Sequence, residues 1–179
     1  MAPPSEIRIG VVGLGHMGDA FAENLLADGY SVTVFDRDTA RAQALAGKGA
    51  QAAQGLADMA GCDLVLTSLP DDTALRSVTL DDGGLTSVMA KDAIHVSLGT
   101  ISPGLSRTLA EAHHASGQRY VAGPVLGNPD LAHRRELFVL AAGADDDVAR
   151  ARPVLERLGQ KLFVVGKDPA LANVIWPTS

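Results

Sequence analysis

The most constraining feature of the sequence is the cluster Gly13-Leu14-Gly15-His16-Met17-Gly18, because of what stands on either side of it. An apolar run from Ile7 to Val12 precedes it, long enough for one buried strand. After it, Met17, Phe21, Leu25 and Leu26 recur at helical spacing, and a second strand, Ser31 to Phe35, ends on Asp36. Each glycine has a physical role in such a turn. Gly13 permits a sharp exit from the strand, Gly15 lets the backbone approach a diphosphate, and Gly18 lets the helix pack close to the sheet. Free N–H groups at the helix start near His16 can hold phosphate without a lysine. Asp36 lies about 20 residues beyond the glycines, where an acid hydrogen-bonds the adenosine ribose of a dinucleotide. Strand, turn, helix, strand and acid in this order outweigh the alternative of an ordinary glycine-rich turn.

The remaining chain repeats the alternation of strand and helix. Thr39 to Gly47 is a helix with Ala40, Ala44 and Leu45 inward, and Gly55 to Gly61 is a short helix. Cys62 to Leu69 is a continuous apolar run suited to a strand buried on both faces, stopped by Pro70. Asp71, Asp72 or Thr73 can cap a helix over Ala74 to Leu80, and Asp81-Asp82-Gly83-Gly84 is a turn. Ile94 to Leu98 is the next strand. Ser102 and Pro103 then start a helix carrying Leu105, Leu109 and Ala112 inward. Strands follow at Tyr120-Val121, Leu137 to Ala142 and Leu162 to Val165. Asp145-Asp146-Asp147 sits at the positive end of a helix with Val148, Val154, Leu155 and Leu158 inward, a capping arrangement rather than a metal site. The pattern specifies an α/β fold, a doubly wound and mostly parallel sheet with helices on both faces.

Bulk properties exclude several partners. A net charge of −6, with basic residues scattered, leaves no footprint for nucleic acid. No apolar run reaches the roughly 18 residues of a membrane span, and the start of the chain lacks the pattern of a signal peptide. The single cysteine, Cys62, heads an apolar run and reads as a buried thiol, which fits a cytoplasmic protein.

Several of these stretches together resemble the β-hydroxyacid dehydrogenase superfamily. That superfamily includes 3-hydroxyisobutyrate dehydrogenase, tartronate semialdehyde and glyoxylate/succinic semialdehyde reductases and, more distantly, 6-phosphogluconate dehydrogenase and imine reductases. The matching residues are those from Gly10 to Gly18, Ser68-Leu69-Pro70, Gly99 to Pro103, Gly123-Pro124-Val125 with Gly127, and Leu140 to Gly143. The resemblance implies NAD or NADP as cofactor and a small hydroxy acid, semialdehyde or related carbonyl or imine as substrate. It implies that Leu14, His16 and Met17 line the phosphates, that Leu69 and Pro70 lie along the ribose and nicotinamide side, and that Thr100 approaches the nicotinamide. Thr100, Gly127 and Asn173 fall on the substrate side. Asp36 favours NAD, since it would repel a 2′-phosphate by about 4 kcal/mol at roughly 4 Å in an effective dielectric of about 20. Arg37 argues for NADP.

Departures from the family pattern are informative. Its strand-end Asp-x-Ser-Thr is here Ser97-Leu98-Gly99-Thr100, and its loop Asp-Ala-Pro-Val-Ser-Gly is Ala122-Gly123-Pro124-Val125-Leu126-Gly127. Replacing a carboxylate-holding hydroxyl by leucine removes about 1.5–3 kcal/mol of hydrogen bonding and shifts the expected substrate toward something less polar. The catalytic lysine of the family motif Ala-Asn-x-x-Lys is Trp176, which cannot shuttle a proton near neutral pH. Lys167, about 13 Å away along the axis, cannot substitute. His95, His113, His114 and His133 are other protonatable groups, with His113-His114 read as a solvated helix end.

Residues 1–166 are therefore expected to form the NAD(P)-binding domain and 167–179 the truncated start of an interdomain helix, the family's helical half being absent. A homodimer or a missing helical partner would cover Val174, Ile175 and Trp176. The alternative is a non-catalytic NAD(P)-binding module, or a fragment lacking the proton-donor half.

Overall fold

A computed structural model describes residues 3–175. In chain order the elements are β1 Arg8–Val12, α1 His16–Ala27, β2 Ser31–Phe35, α2 Thr39–Ala46, β3 Gln51–Ala52, β4 Leu64–Thr67, α3 Asp72–Leu80, α4 Leu85–Val88, β5 Ile94–Ser97 and α5 Pro103–Ala115. They continue with β6 Arg119–Ala122, β7 Val125–Leu126, α6 Pro129–His133, β8 Leu137–Ala142, α7 Asp145–Leu155, β9 Gly159–Gly166 and α8 Ala170–Ile175. The strands lie in the order β3-β2-β1-β4-β5-β6-β8-β7, with β9 on the other side of β8. From β3 to β6 all pairs are parallel; β8 runs antiparallel to β6 and β7, and β9 runs parallel to β8.

Alternation along the strands divides the core. Ile9, Val11, Leu66, Ile94, Val96 and Val121 point to one face, where Phe21 and Leu25 of α1 and Val148, Val154 and Leu155 of α7 cover them. Val12 and Val65, and further along Tyr120 and Ala122, point to the other face, under α3, α4, α5 and α8. Phe21 is fully buried, and a side chain of that size contributes about 1.5–3 kcal/mol on burial. Such two-sided cover is what the continuous apolar runs require.

Several details depart from the sequence reading. The inward residues of α2 are Ala42 and Leu45, while Ala40 and Ala44 are exposed. Two-residue strands β3 and β7 and the short helices α4 and α6 are too brief to leave a periodic signal. Strand β9 begins at Gly159 rather than Leu162, because an edge strand tolerates the polar Gln160 and Lys161. The cap residue of α7 is Ala144, with no side-chain cap; Asp145, Asp146 and Asp147 occupy the first turn, where they meet the helix dipole. Asp147 is buried and lies 3.9 Å from Arg119. The largest correction concerns His113. It is wholly buried, and only His114 is solvated. Trp176 lies outside the described residues.

Candidate functional site

The glycine turn owes its shape to two collisions that any side chain would meet. Gly13 has φ +93°, and a Cβ there would run into the Ser68 carbonyl. A Cβ at Gly18 would run into the Gly13 carbonyl, so α1 presses directly on the turn. Gly15 is different: its open side faces only the Arg41 guanidinium, at 3.7 Å. As the cap residue of α1 it brings no side chain to the free N–H groups of the first turn, which remain available to an anion.

Asp36 stands at the end of β2 and closes the turn. One carboxylate oxygen accepts the Leu14 N–H at 2.7 Å and the other accepts the Asp38 N–H at 2.8 Å. A carboxylate offers about four acceptor sites, so two remain for sugar hydroxyls.

Adjoining hollows open at this edge. One of about 500 Å³ is lined by Gly13, Gly15, His16, Met17, Asp36, Arg41, Ser68, Leu69, Pro70 and Pro129. Another, also about 500 Å³, shares Gly13, Asp36, Leu69 and Pro70 and adds Val12, Phe35, Arg37, Ala74, Ser77 and Val78. A third of about 230 Å³ brings in Leu14 and Asp19. Together they gather nearly every cofactor residue named from the sequence. Gly18 stands behind the turn as a packing residue. Arg41, Ser68, Pro129 and the α3 residues Ala74, Ser77 and Val78 were not foreseen. Arg41 lies in the first turn of α2, which brings its guanidinium over Gly15. Pro129 is held in place by α1, whose Asn24 amide donates to the Ala132 carbonyl at 2.9 Å.

Thr100, Gly127 and Asn173 stand outside these hollows. Thr100 is exposed at the carboxyl end of β5, and Gly99 beside it packs so closely on the Leu69 carbonyl that a Cβ would come within 2.9 Å. The Gly123 N–H donates to the Ser97 carbonyl at 2.8 Å, so the segments at 69, 99 and 123 follow one another along the carboxyl edge. Gly127 has φ +145°, and a Cβ would strike Leu137, which gives this glycine a packing reason of its own. Asn173 is buried on α8, and among the described residues neither its amide nitrogen nor its amide oxygen has a partner.

A further hollow of about 500 Å³, lined by Glu6, Ile7, Asp63, Leu64, Ala149, Arg150, Pro153 and Val154, lies at the amino ends of β1 and β4. Ligands of open α/β sheets bind at the carboxyl ends, which favours the glycine edge. Asp19, Glu23 and His133 bring ligand atoms within 4.8 Å of one another, but Glu23 is already engaged by Lys48 and by His133. Cys62 is buried, and burial pushes its thiol up to about 11, an unreactive state.

Residues 8–166 match the NAD binding domain of 6-phosphogluconate dehydrogenase. The chain belongs to that family. Within it, the chain is 36% identical to 3-hydroxyisobutyrate dehydrogenase of Pseudomonas aeruginosa, over 90% of this chain and 55% of that protein. A solved structure of Psf3 in complex with NADP+ and 2-OPP superposes with a TM-score of 0.89 at 27% identity, covering 93% of this chain and 59% of that one. The imine reductase of Myxococcus stipitatus, a V8 variant in complex with NAD+, superposes at 0.87 and 27% identity, covering 98% and 58%. This chain spans 55–59% of the length of the first curated relatives it matches. For a member of this NAD-binding family the described residues fit the cofactor: an open cradle at Gly15, unclaimed helix N–H groups and an acid with free acceptor sites at the end of β2. No helix among the described residues is long and apolar enough to cross a membrane.

Proposed function

We propose that this chain is the cofactor-holding part of a nicotinamide-dependent oxidoreductase acting on a small hydroxy acid, semialdehyde or related carbonyl or imine compound. The observation that carries the reading is the turn itself, with Gly13 and Gly18 locked against backbone and Gly15 open over an uncapped helix start. When bound, the nicotinamide would supply or accept the hydride. The residues of the chain bind and orient. The N–H groups of His16 and Met17, with Arg41 across from them, hold the diphosphate; Asp36 takes the ribose hydroxyls; Leu69 and Pro70 form the wall leading to Thr100. Asn173 and the segment ending at Gly127 face the substrate. Asn173 fits such a role because a buried amide without partners is costly unless a ligand completes it.

Asp36 supports NAD over NADP, while Arg37 and Arg41 offer cations to a 2′-phosphate. Titrating NADH and NADPH by fluorescence tests both binding and preference. Saturable binding with tighter NADH is expected; a tenfold preference for NADPH overturns the preference, and no binding of either overturns the function.

A second reading is favoured by Trp176 at the lysine position: a nucleotide-binding module without turnover, or a portion that needs a helical half to supply the proton donor. Residues 1–166 would then be the binding unit and 167–179 the start of the helix leading onward, anchored here by Ala170 and Ala172. A steady-state screen of aldehydes, β-hydroxy acids and cyclic imines separates the two. Turnover by this chain alone removes the second reading.

A further inference from the structure

Beneath α5, on the face opposite α1, a line of polar side chains crosses the apolar core. Thr67 Oγ1 on β4 lies 2.9 Å from His95 Nε2 on β5, His95 Nδ1 lies 2.9 Å from His113 Nε2 on α5, and His113 Nδ1 lies 2.7 Å from Gln118 Oε1. The Gln118 amide nitrogen donates to two backbone carbonyls, Met89 at 2.8 Å and Thr86 at 3.2 Å. Those two carbonyls set the direction of the whole line. With its nitrogen committed to them, Gln118 must present oxygen to His113, so His113 Nδ1 carries a proton and its Nε2 accepts. His95 must then donate from Nδ1 and accept at Nε2, where the Thr67 hydroxyl donates. Both rings are neutral, and each nitrogen of both is in use.

We propose that His95 and His113 form an acid-sensitive latch that fastens α5 and the loop before β5 to the sheet while both rings are neutral, so that neither ring takes a proton until that fastening has opened. A proton added to His113 Nε2 would meet the N–H of His95; one added to His95 Nε2 would meet the Thr67 hydroxyl proton. The surroundings offer no compensation. Among the described residues the one other titratable group against the pair is Tyr120 on β6, whose ring centroid is 5.4 Å from that of His95 and 6.0 Å from that of His113. Its hydroxyl is taken by Ser97 at 2.6 Å, and burial pushes it up to about 12, so it stays neutral. The buried residues of the neighbouring elements on this face are Val65 and Thr67 of β4, Leu75 and Thr79 of α3 and Leu85 of α4, none of them ionisable. Glu111 and His114 on α5, and Lys91 and Asp92 before β5, are exposed, and Arg119 is paired with Asp92 and Asp147. Burial holds His95 well below the usual histidine range and His113 below it.

The sign follows from proton counting. The unfolded chain takes up both protons as pH falls below about 6.5 while the folded chain takes up neither, so stability is complete above that pH and declines below it. Two such groups approach a hundredfold fall in the folding equilibrium constant per pH unit, in the window before aspartates and glutamates begin to titrate.

The native chain labelled with 15N-histidine tests this directly. Two of its five histidines are expected in the Nδ1–H tautomer at pH 7.5, without titrating while the chain remains folded. An Nε2–H form for either, or protonation near 6.5 in the folded state, overturns the latch. Urea unfolding between pH 7.5 and 5 should show the steep fall in the native chain and a nearly flat profile in His95→Phe/His113→Leu. Equal slopes overturn it as well; should the double variant not fold, the spectra of the native chain decide.

Discussion

The two ends of the sheet present opposite surfaces. At β1, β2 and β4, glycines and strand ends are satisfied within the chain: Asp36 holds the turn, Ser68 bounds it, and the hollow that remains sets Arg41 and the start of α1 against an apolar wall of Leu69 and Pro70. At β7, β8 and β9, Leu126, Phe138 and Phe163 are exposed on one face of the sheet, and Val174 on α8 is 60% exposed. Asn173 beside it is buried and, among the described residues, has no hydrogen-bond partner for its side chain. The glycine end has its backbone satisfied within the chain, whereas the β9 end exposes apolar surface and, among the described residues, leaves a buried amide without a partner. Leu126, Phe138 and Phe163 lie next to one another across β7, β8 and β9. The turn with its backbone satisfied and the buried amide without a partner among the described residues thus stand at opposite ends of one sheet.

The contrast can be broken at its strong end first. Gly18→Val forces a side chain into the Gly13 carbonyl, and the expected loss is about 3 kcal/mol, or roughly 6–12 °C in Tm for a chain of this size, with nucleotide binding abolished. Thermal unfolding and NADH fluorescence read both effects; unchanged binding would mean that the turn is not the cradle. Next, Asn173→Leu removes the unpartnered amide and should raise stability by about 1–3 kcal/mol in urea, leaving nucleotide affinity unaltered. A destabilised variant would show that the amide has a partner and that this end is more complete than it looks. The smallest effect belongs to Asp36→Asn, expected to shift the NADH to NADPH affinity ratio toward NADPH by about tenfold, near 1.4 kcal/mol. An unmoved ratio would take the acid out of cofactor choice.

Legibility in the sequence follows the same division. From Arg8 to Asp36 the strands, the turn and the helix were readable because local chemistry decides them: φ above zero calls for glycine, and an apolar run between turns calls for a strand. Tertiary contacts decide the rest. His113 was misread because its position near a helix end favours exposure, although it continues the Leu105, Leu109 stripe at a spacing of four. That periodicity is the signal the sequence carries for burial at position 113. Arg41 required knowing that α2 turns back over the glycine loop. Gly127 was legible as a loop residue through resemblance, but its contact with Leu137 depends on how β7 pairs with β8, which no local pattern encodes.

The bond from the Leu14 N–H to Asp36 has a consequence for engineering. The residue read as selecting the sugar also braces the phosphate loop, so the two properties share one side chain. Any substitution that relaxes discrimination at position 36 should also slacken the anion cradle, and a clean exchange of coenzyme would need a second change that restores an acceptor for the Leu14 amide.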